Sequence, residues 1–235
     1  MLRVRALEAR YGDFQALFGI DLDLAAGEVL ALIGANGAGK STFLKSLVGQ
    51  IAHRRGEIAF KGRDISALPA DDIVRLGIAM VPEGRRIFRS LSVEENLRVG
   101  AFAGRPGPWT LEAVFELFPI LEQRRRQAAI SLSGGQQQMV AIGRALMSNP
   151  DLLLCDEISL GLSPAVVKDI YDALPRIRAH GLALVVVEQD IDTAVRVSDH
   201  VACFMHGRVS LRGAPSELTR ERISAAYFGL EAHDA

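Results

Sequence analysis

Apolar and polar residues alternate from Leu2 to Ala9 and again from Ile20 to Leu24, with breaks at Tyr11-Gly12-Asp13 and Ala26-Gly27. A period of two predicts half-buried antiparallel strands. From Glu28 to Ile33 the pattern turns apolar and predicts a strand running straight into a glycine-rich loop. Phe43, Leu44, Leu47 and Val48 then recur at helical spacing, which predicts a helix over Lys40 to Val48. Gly56 to Lys61 predicts another short strand ahead of the turn Gly62-Arg63-Asp64. Ile78 to Val81 predicts a buried strand that Pro82-Glu83-Gly84 ends.

The stretch from Ser92 to about Gln127 reads as helical, interrupted at Gly104-Arg105-Pro106-Gly107-Pro108. Ser92-Val93-Glu94-Glu95 has the residue types of a capping box, and Thr110-Leu111-Glu112-Ala113 opens a further helix that Pro119 stops. Helices without intervening strands predict a helical lobe inserted into a sheet domain. A helix follows over Gln136 to Met147. Apolar strands return at Leu152 to Cys155, Leu182 to Val187 and Val201 to Met205, separated by helices at Pro164 to Ala179 and Ile191 to Val197. This alternation implies a parallel sheet covered on both faces. Gly207-Arg208-Val209 with Leu211 predicts a terminal hairpin element, and Pro215 to Phe228 a last helix. The fold class is α/β.

At 235 residues with 49% apolar content, the chain has enough material for a substantial core. Cys155 and Cys203 both fall in apolar runs, where a thiol packs as a small hydrophobe, and neither belongs to a CxxC or Cys/His cluster. A reducing compartment follows as an expectation. The net charge of -1 argues against a broad grip on nucleic acid. Arg85, Arg86 and Arg89 make one local basic cluster. Arg124, Arg125 and Arg126 make another, read as a solvated face whose side chains diverge around a helix. No secretory signal and no membrane span are expected, so membrane contact is expected to run through a partner.

Three motifs carry chemistry. Gly34-Ala35-Asn36-Gly37-Ala38-Gly39-Lys40-Ser41 matches GxxxxGK[ST] and continues into Thr42, in the strand, loop and helix context that a phosphate-binding loop needs. Its glycines let backbone N–H groups face phosphate oxygens, the helix start adds partial positive charge, Lys40 supplies a point charge, and the Ser41 hydroxyl can ligate Mg²⁺. Asp156 ends an apolar strand at the edge that faces ligands in open α/β sheets, suited to hold Mg²⁺ through water, and Glu157 follows it, placed to polarise an attacking water. Ser133-Gly134-Gly135 opens a helix. It is both a serine N-cap and a second small cradle of backbone donors that lacks a lysine and so complements a phosphate site built elsewhere.

Leu132-Ser133-Gly134-Gly135-Gln136, between the phosphate loop and the acidic pair, resembles the signature of ATP-binding-cassette (ABC) ATPases, and the family pattern covers Tyr11 to about Leu218. The resemblance implies a P-loop (RecA-like) ATPase core with an antiparallel β edge subdomain and an inserted helical subdomain. Positions 1–83 and 149–235 would form the core and 84–148 the helical part that carries the signature. It implies ATP and Mg²⁺ as ligands. It also implies a two-subunit sandwich in which the signature, Ser133 to Gln136, closes over nucleotide held by another subunit's loop. Tyr11 matches the aromatic that stacks on adenine.

Glu83 stands where the family's loop glutamine senses the γ-phosphate, so its metal role rests on a carboxylate that adds negative charge. Gln189 stands where a switch histidine is usual, so it can donate to a γ-phosphate but not carry a proton, leaving catalysis to lean on Glu157. Gly161 replaces an aspartate that helps join the subunits in many relatives. The five histidines, His53, His180, His200, His206 and His233, fall in turns, helix ends or the tail. VPEGRRIF, LSGGQQQM, SLGLSP and VVEQD together resemble one ATPase subunit of bacterial importers for branched-chain amino acids and related small amides. Such a subunit would sit peripherally on the cytoplasmic face of the inner membrane. It would pair with a second ATPase and with permease subunits, served indirectly by a periplasmic solute-binding protein. A soluble ABC-type ATPase and a nucleotide-dependent regulator uncoupled from transport stay open at this stage. A P-loop GTPase or small-molecule kinase would leave LSGGQ unexplained.

Overall fold

The structure is a computed structural model and describes residues 1–228. The expectation for His233 and for the end of the 149–235 segment lies outside the described residues. The chain forms two compact units, one comprising Met1–Ile73 together with the chain from Ala183 onward, the other Val74–Leu182.

In the first unit, strands β1 (Leu2–Tyr11), β2 (Phe14–Leu24), β4 (His53–Phe60) and β5 (Arg63–Asp64) form an antiparallel sheet in the order β2-β1-β4-β5. The alternation read from the sequence becomes the observed burial, with Leu2, Val4, Leu7 and Ala9 inward on β1. The regular ladder is broken at Ala6, whose φ of 47° makes a bulge. Gly56 on β4 accommodates it, because a Cβ there would lie 2.5 Å from the Ala6 carbonyl oxygen. Arg63-Asp64, read from the sequence as a turn, is instead β5, paired with Ala59 and Phe60.

Strand β3 (Val29–Ile33) lies parallel to β8 (Ala183–Val187) and to β9 (His200–Met205), and β10 (Arg208–Gly213) returns antiparallel to β9. Every residue of β3 and β8 is buried, as continuous apolar runs in parallel strands require. Helix α1 (Lys40–Leu47) packs Phe43 against Phe204 of β9, ring centroids 5.5 Å apart. Helix α2 (Ala70–Leu76), inside which the first unit ends, is absent from the sequence reading because Ile73 is its one buried residue. Helices α8 (Ile191–Val197) and α9 (Arg220–Phe228) follow their strands, α9 after a short 3₁₀ turn at Pro215–Glu217 rather than as one helix from Pro215.

The second unit pairs β6 (Ile78–Val81) in parallel with β7 (Leu152–Asp156) and carries helices α3 (Val93–Gly100), α4 (Leu111–Leu117), α5 (Pro119–Gln123), α6 (Gly134–Leu146) and α7 (Pro164–Arg178). The Ser92 capping box is formed in full: Glu95 N donates to Ser92 Oγ and Ser92 N to Glu95 Oε2. Thr110 caps α4 by accepting from Ala113 N. Pro119 separates two helices rather than ending helix structure, since its fixed φ and missing donor suit the first position of α5. The three arginines at 124–126 do not wrap a helix, because α5 ends at Gln123. Arg125 instead pairs with Glu94 at 2.8 Å and lies over the Phe115 ring. Arg98 first and Arg125 second hold the Glu94 carboxyl below its ordinary pKa.

No helix among the described residues is long and apolar enough to cross a membrane. Cys155 and Cys203 are buried on β7 and β9, and neither forms a disulfide. Burial pushes the Cys203 thiol up to about 12 from an ordinary 9.0. Because the folded pKa is the higher one, the neutral thiol favours the folded state fully below pH 9.0, and that contribution is lost as pH climbs toward about 12. Alkylation of Cys203 at pH 8 is therefore expected to track unfolding, and rapid labelling of native protein at that position would contradict the burial.

Candidate functional site

The phosphate-loop sequence connects β3 to α1 in the first unit. Gly34, Gly37 and Gly39 all have positive φ, at 146°, 81° and 106°. At Gly34 the reason is also steric: a Cβ would stand 2.2 Å from the Phe204 carbonyl oxygen. Gly34→Ala is accordingly expected to cost about 2–5 kcal/mol in a urea unfolding series, the sum of left-handed strain and overpacking. Gly207 supports the loop from behind by donating its N–H to Ala38 O at 2.9 Å, and a Cβ on it would meet Ala16 O at 2.2 Å. The sequence reading took Gly207 as a hairpin residue only. The signal available was a glycine in a turn beside an inner strand.

Lys40 is 4% exposed, and its Nζ donates to Gly34 O at 2.6 Å and Ala35 O at 3.1 Å. The ammonium is thus held by carbonyls of its own loop. Ser41 and Thr42 follow in the first turn of α1, which carries no acidic residue, so nothing there neutralises the helix N-terminus. Tyr11 is 47% exposed, and its hydroxyl lies 3.4 Å from Thr42 Oγ1. Phe14, across the same hairpin turn, is more exposed still at 70%. No role was read for it from sequence, where an aromatic two residues past a glycine turn resembles any strand start. Gln189 follows β8, and its Nε2 donates to Asn36 Oδ1 at 3.3 Å, tying the loop after β8 to the phosphate loop across the first unit. Asp190 beside it caps α8 by accepting from Thr193 N, and hydrogen bonding by the Thr193 side chain leads the causes that depress its pKa.

The remaining candidate residues belong to the second unit. Asp156 is the last residue of β7 and is 2% exposed. Glu157 follows in a left-handed conformation, φ 49°, and its carbonyl accepts from Leu160 N at 3.2 Å, closing a turn. Glu83 is exposed beyond the end of β6. Ser133 caps α6 through a reciprocal box, Gln136 N donating to Ser133 Oγ at 3.3 Å and Ser133 N to Gln136 Oε1 at 3.1 Å. The serine hydroxyl therefore fixes the start of α6, whose first turn carries no acidic residue. Gly135 has no room for a side chain, since a Cβ would meet Val166 Cγ1 at 2.5 Å.

Comparison with known proteins places this arrangement. The family model described as ABC transporter matches residues 17–159. The high-affinity branched-chain amino acid transport ATP-binding protein BraG of Pseudomonas aeruginosa is 41% identical, over 97% of this chain and 100% of that one. The probable branched-chain amino acid transport ATP-binding protein LivF of Archaeoglobus fulgidus is 34% identical, over 93% and 94% respectively. A solved dimeric bacterial ABC transporter cassette superposes with a TM-score of 0.79 at 25% identity, over 92% of this chain and 99% of that one. The chain belongs to the ABC transporter ATPase family.

Proposed function

We propose that this chain is the ATP-hydrolysing subunit of an importer for branched-chain amino acids, one of two cassettes on the cytoplasmic face of the inner membrane, coupled to permease subunits and served by a solute-binding protein. What supports the solute and the coupling is the likeness to BraG and LivF along nearly their whole length. The dimeric cassette supports the pairing. The observation that carries nucleotide binding is Lys40, a buried ammonium whose Nζ donates to the Gly34 and Ala35 carbonyls of its own loop. Phosphate oxygens of ATP are stronger acceptors for that ammonium than neutral carbonyls.

In this reading the loop N–H groups from Asn36 to Thr42 bind the phosphates and Tyr11 stacks on adenine. Gln189, oriented by Asn36, donates to the γ-phosphate. The donor set Ser41, Asp156 and Glu83 is all oxygen, which suits a hard cation. Those groups would hold Mg²⁺, which when bound would supply neutralisation of phosphate charge. Glu157 takes the proton of a water that attacks the γ-phosphorus as the bridging bond to the β-phosphate breaks, leaving ADP and inorganic phosphate. Ser133 to Gln136 close over nucleotide held by the other cassette. ATP favours the closed pair and hydrolysis the open one, a nucleotide-dependent population shift.

The test is reconstitution of the chain with its second cassette and permease in vesicles, measuring phosphate release and uptake of labelled leucine together. Uptake that requires ATP supports the proposal. Hydrolysis without uptake of any branched-chain amino acid would remove the solute assignment, and absence of hydrolysis would remove the motor.

A further inference from the structure

The loop after β6 contains three consecutive left-handed residues, Gly84, Arg85 and Arg86, with φ of 73°, 67° and 45°. Arginine reaches this region only at a cost of about 1–2 kcal/mol per residue, so the fold, not local preference, holds it there. The side chain of Arg85 lies against the start of α6. A Cβ on Gly134 would stand 3.0 Å from Arg85 Nη2 and 3.3 Å from its Cζ and Nη1, so the guanidinium packs where any other residue at 134 would have a side chain. Arg85 Nη1 reaches Gln137 Oε1 at 3.4 Å, while Gln137 Nε2 donates to Ala129 O and Leu132 O at 3.3 and 3.1 Å. The guanidinium, the Gln137 amide and the 129–132 carbonyls form one continuous connection from the loop to the Leu132-Ser133-Gly134 turn. The other end of the loop is held to the same helix, Arg144 Nη2 approaching Arg85 O at 3.5 Å and its guanidinium lying over the Phe88 ring at 5.3 Å. Residues 134 and 144 are about 15 Å apart along α6, so loop and helix are tied at two separated points.

We infer that Arg85 is a positioning residue for the signature, a planar strap that sets where Ser133, Gly134 and Gly135 stand relative to the Glu83 loop. This rests on the reading of 133–136 as the segment that closes on nucleotide. A cation beside a helix N-terminus opposes the helix dipole, and Arg85 has no carboxylate among its hydrogen bonds or ion pairs in the described residues. Its shape is therefore the property in use, a flat guanidinium that a lysine ammonium does not reproduce. Movement of the loop, whichever partner causes it, shifts the signature with it.

The assembled transporter carrying Arg85→Ala, Arg85→Lys, Gln137→Ala or Arg85→Ala with Gln137→Ala tests this. Both Arg85 substitutions are expected to lower kcat by between about 10- and 100-fold, the effect of a small misplacement, with KM for ATP unchanged. Gln137→Ala lowers kcat in the same direction, and the double variant is no slower than Arg85→Ala, because the two act through one connection. Full recovery by Arg85→Lys would overturn the inference in favour of charge, as would wild-type kcat in Arg85→Ala or strict additivity in the double variant. Should Arg85→Ala not fold, an unchanged kcat in Gln137→Ala overturns it equally. A wild-type assembly that fails to hydrolyse ATP sinks the reading of the signature itself, whereas a working wild type with indifferent Arg85 variants sinks only the strap.

Discussion

Glu157→Gln is expected to bind ATP with wild-type affinity and to hydrolyse it between about 10²- and 10⁴-fold more slowly, the range over which a positioned general base contributes. The substitution keeps size and hydrogen-bonding reach but removes the ability to take a proton from water. Glutamine adopts the left-handed φ of 49° at this position no less readily than glutamate, so the turn closed by Leu160 N onto residue 157 should persist and the thermal midpoint should stay put. Asp156, fully buried at the strand end, is untouched. Gln189 cannot serve in its place, since an amide cannot carry the proton. Single-turnover phosphate release alongside equilibrium ATP binding separates the two effects. Steady-state turnover within a few-fold of wild type would refute Glu157 as the base.

Lys40→Ala is expected to fail at the earlier step. Losing one partner of a desolvated charge-assisted contact costs about 2–5 kcal/mol, which at about 1.4 kcal/mol per factor of ten predicts ATP affinity lower by about 30-fold or more. The loss should be larger for ATP than for ADP, because the ammonium meets the outer phosphates. Lys40 is also structural, as its Nζ bridges the Gly34 and Ala35 carbonyls. Circular dichroism and an unfolding curve therefore accompany the titration. Isothermal titration with a slowly hydrolysed analogue gives the affinity directly. A folded Lys40→Ala chain that binds the analogue as wild type would contradict the use of this loop for phosphate.

Both predictions rest on motifs that are legible in the sequence, and the reason is their locality. The phosphate loop needs glycine, lysine and serine at spacings inside one octapeptide, and the Ser92, Thr110 and Ser133 caps each act across three residues. Strands β3 and β8 announced themselves because burial on both faces demands unbroken apolar runs. Periodicity failed where burial is slight, as in α2 with Ile73 alone buried. It also failed where a helix former lay just past a helix end, as at 124–126, where Glu94 and Phe115 recruit Arg125 from a turn.

Residue identity and short-range spacing thus determined which motifs this chain carries: a GxxxxGK[ST] loop, a capped LSGGQ turn and an acidic strand end. Tertiary structure alone decided how those pieces are held. Gly207 donates to Ala38 because β10 folds back on β9, Gln189 meets Asn36 because β8 lies beside β3, and Arg85 lies on Gly134 although the loop and Gln137 are 52 positions apart. Backbone capping and side-chain periodicity act over four residues or fewer, whereas these contacts depend on which strands pair and where left-handed turns point the chain, and no local pattern encodes that.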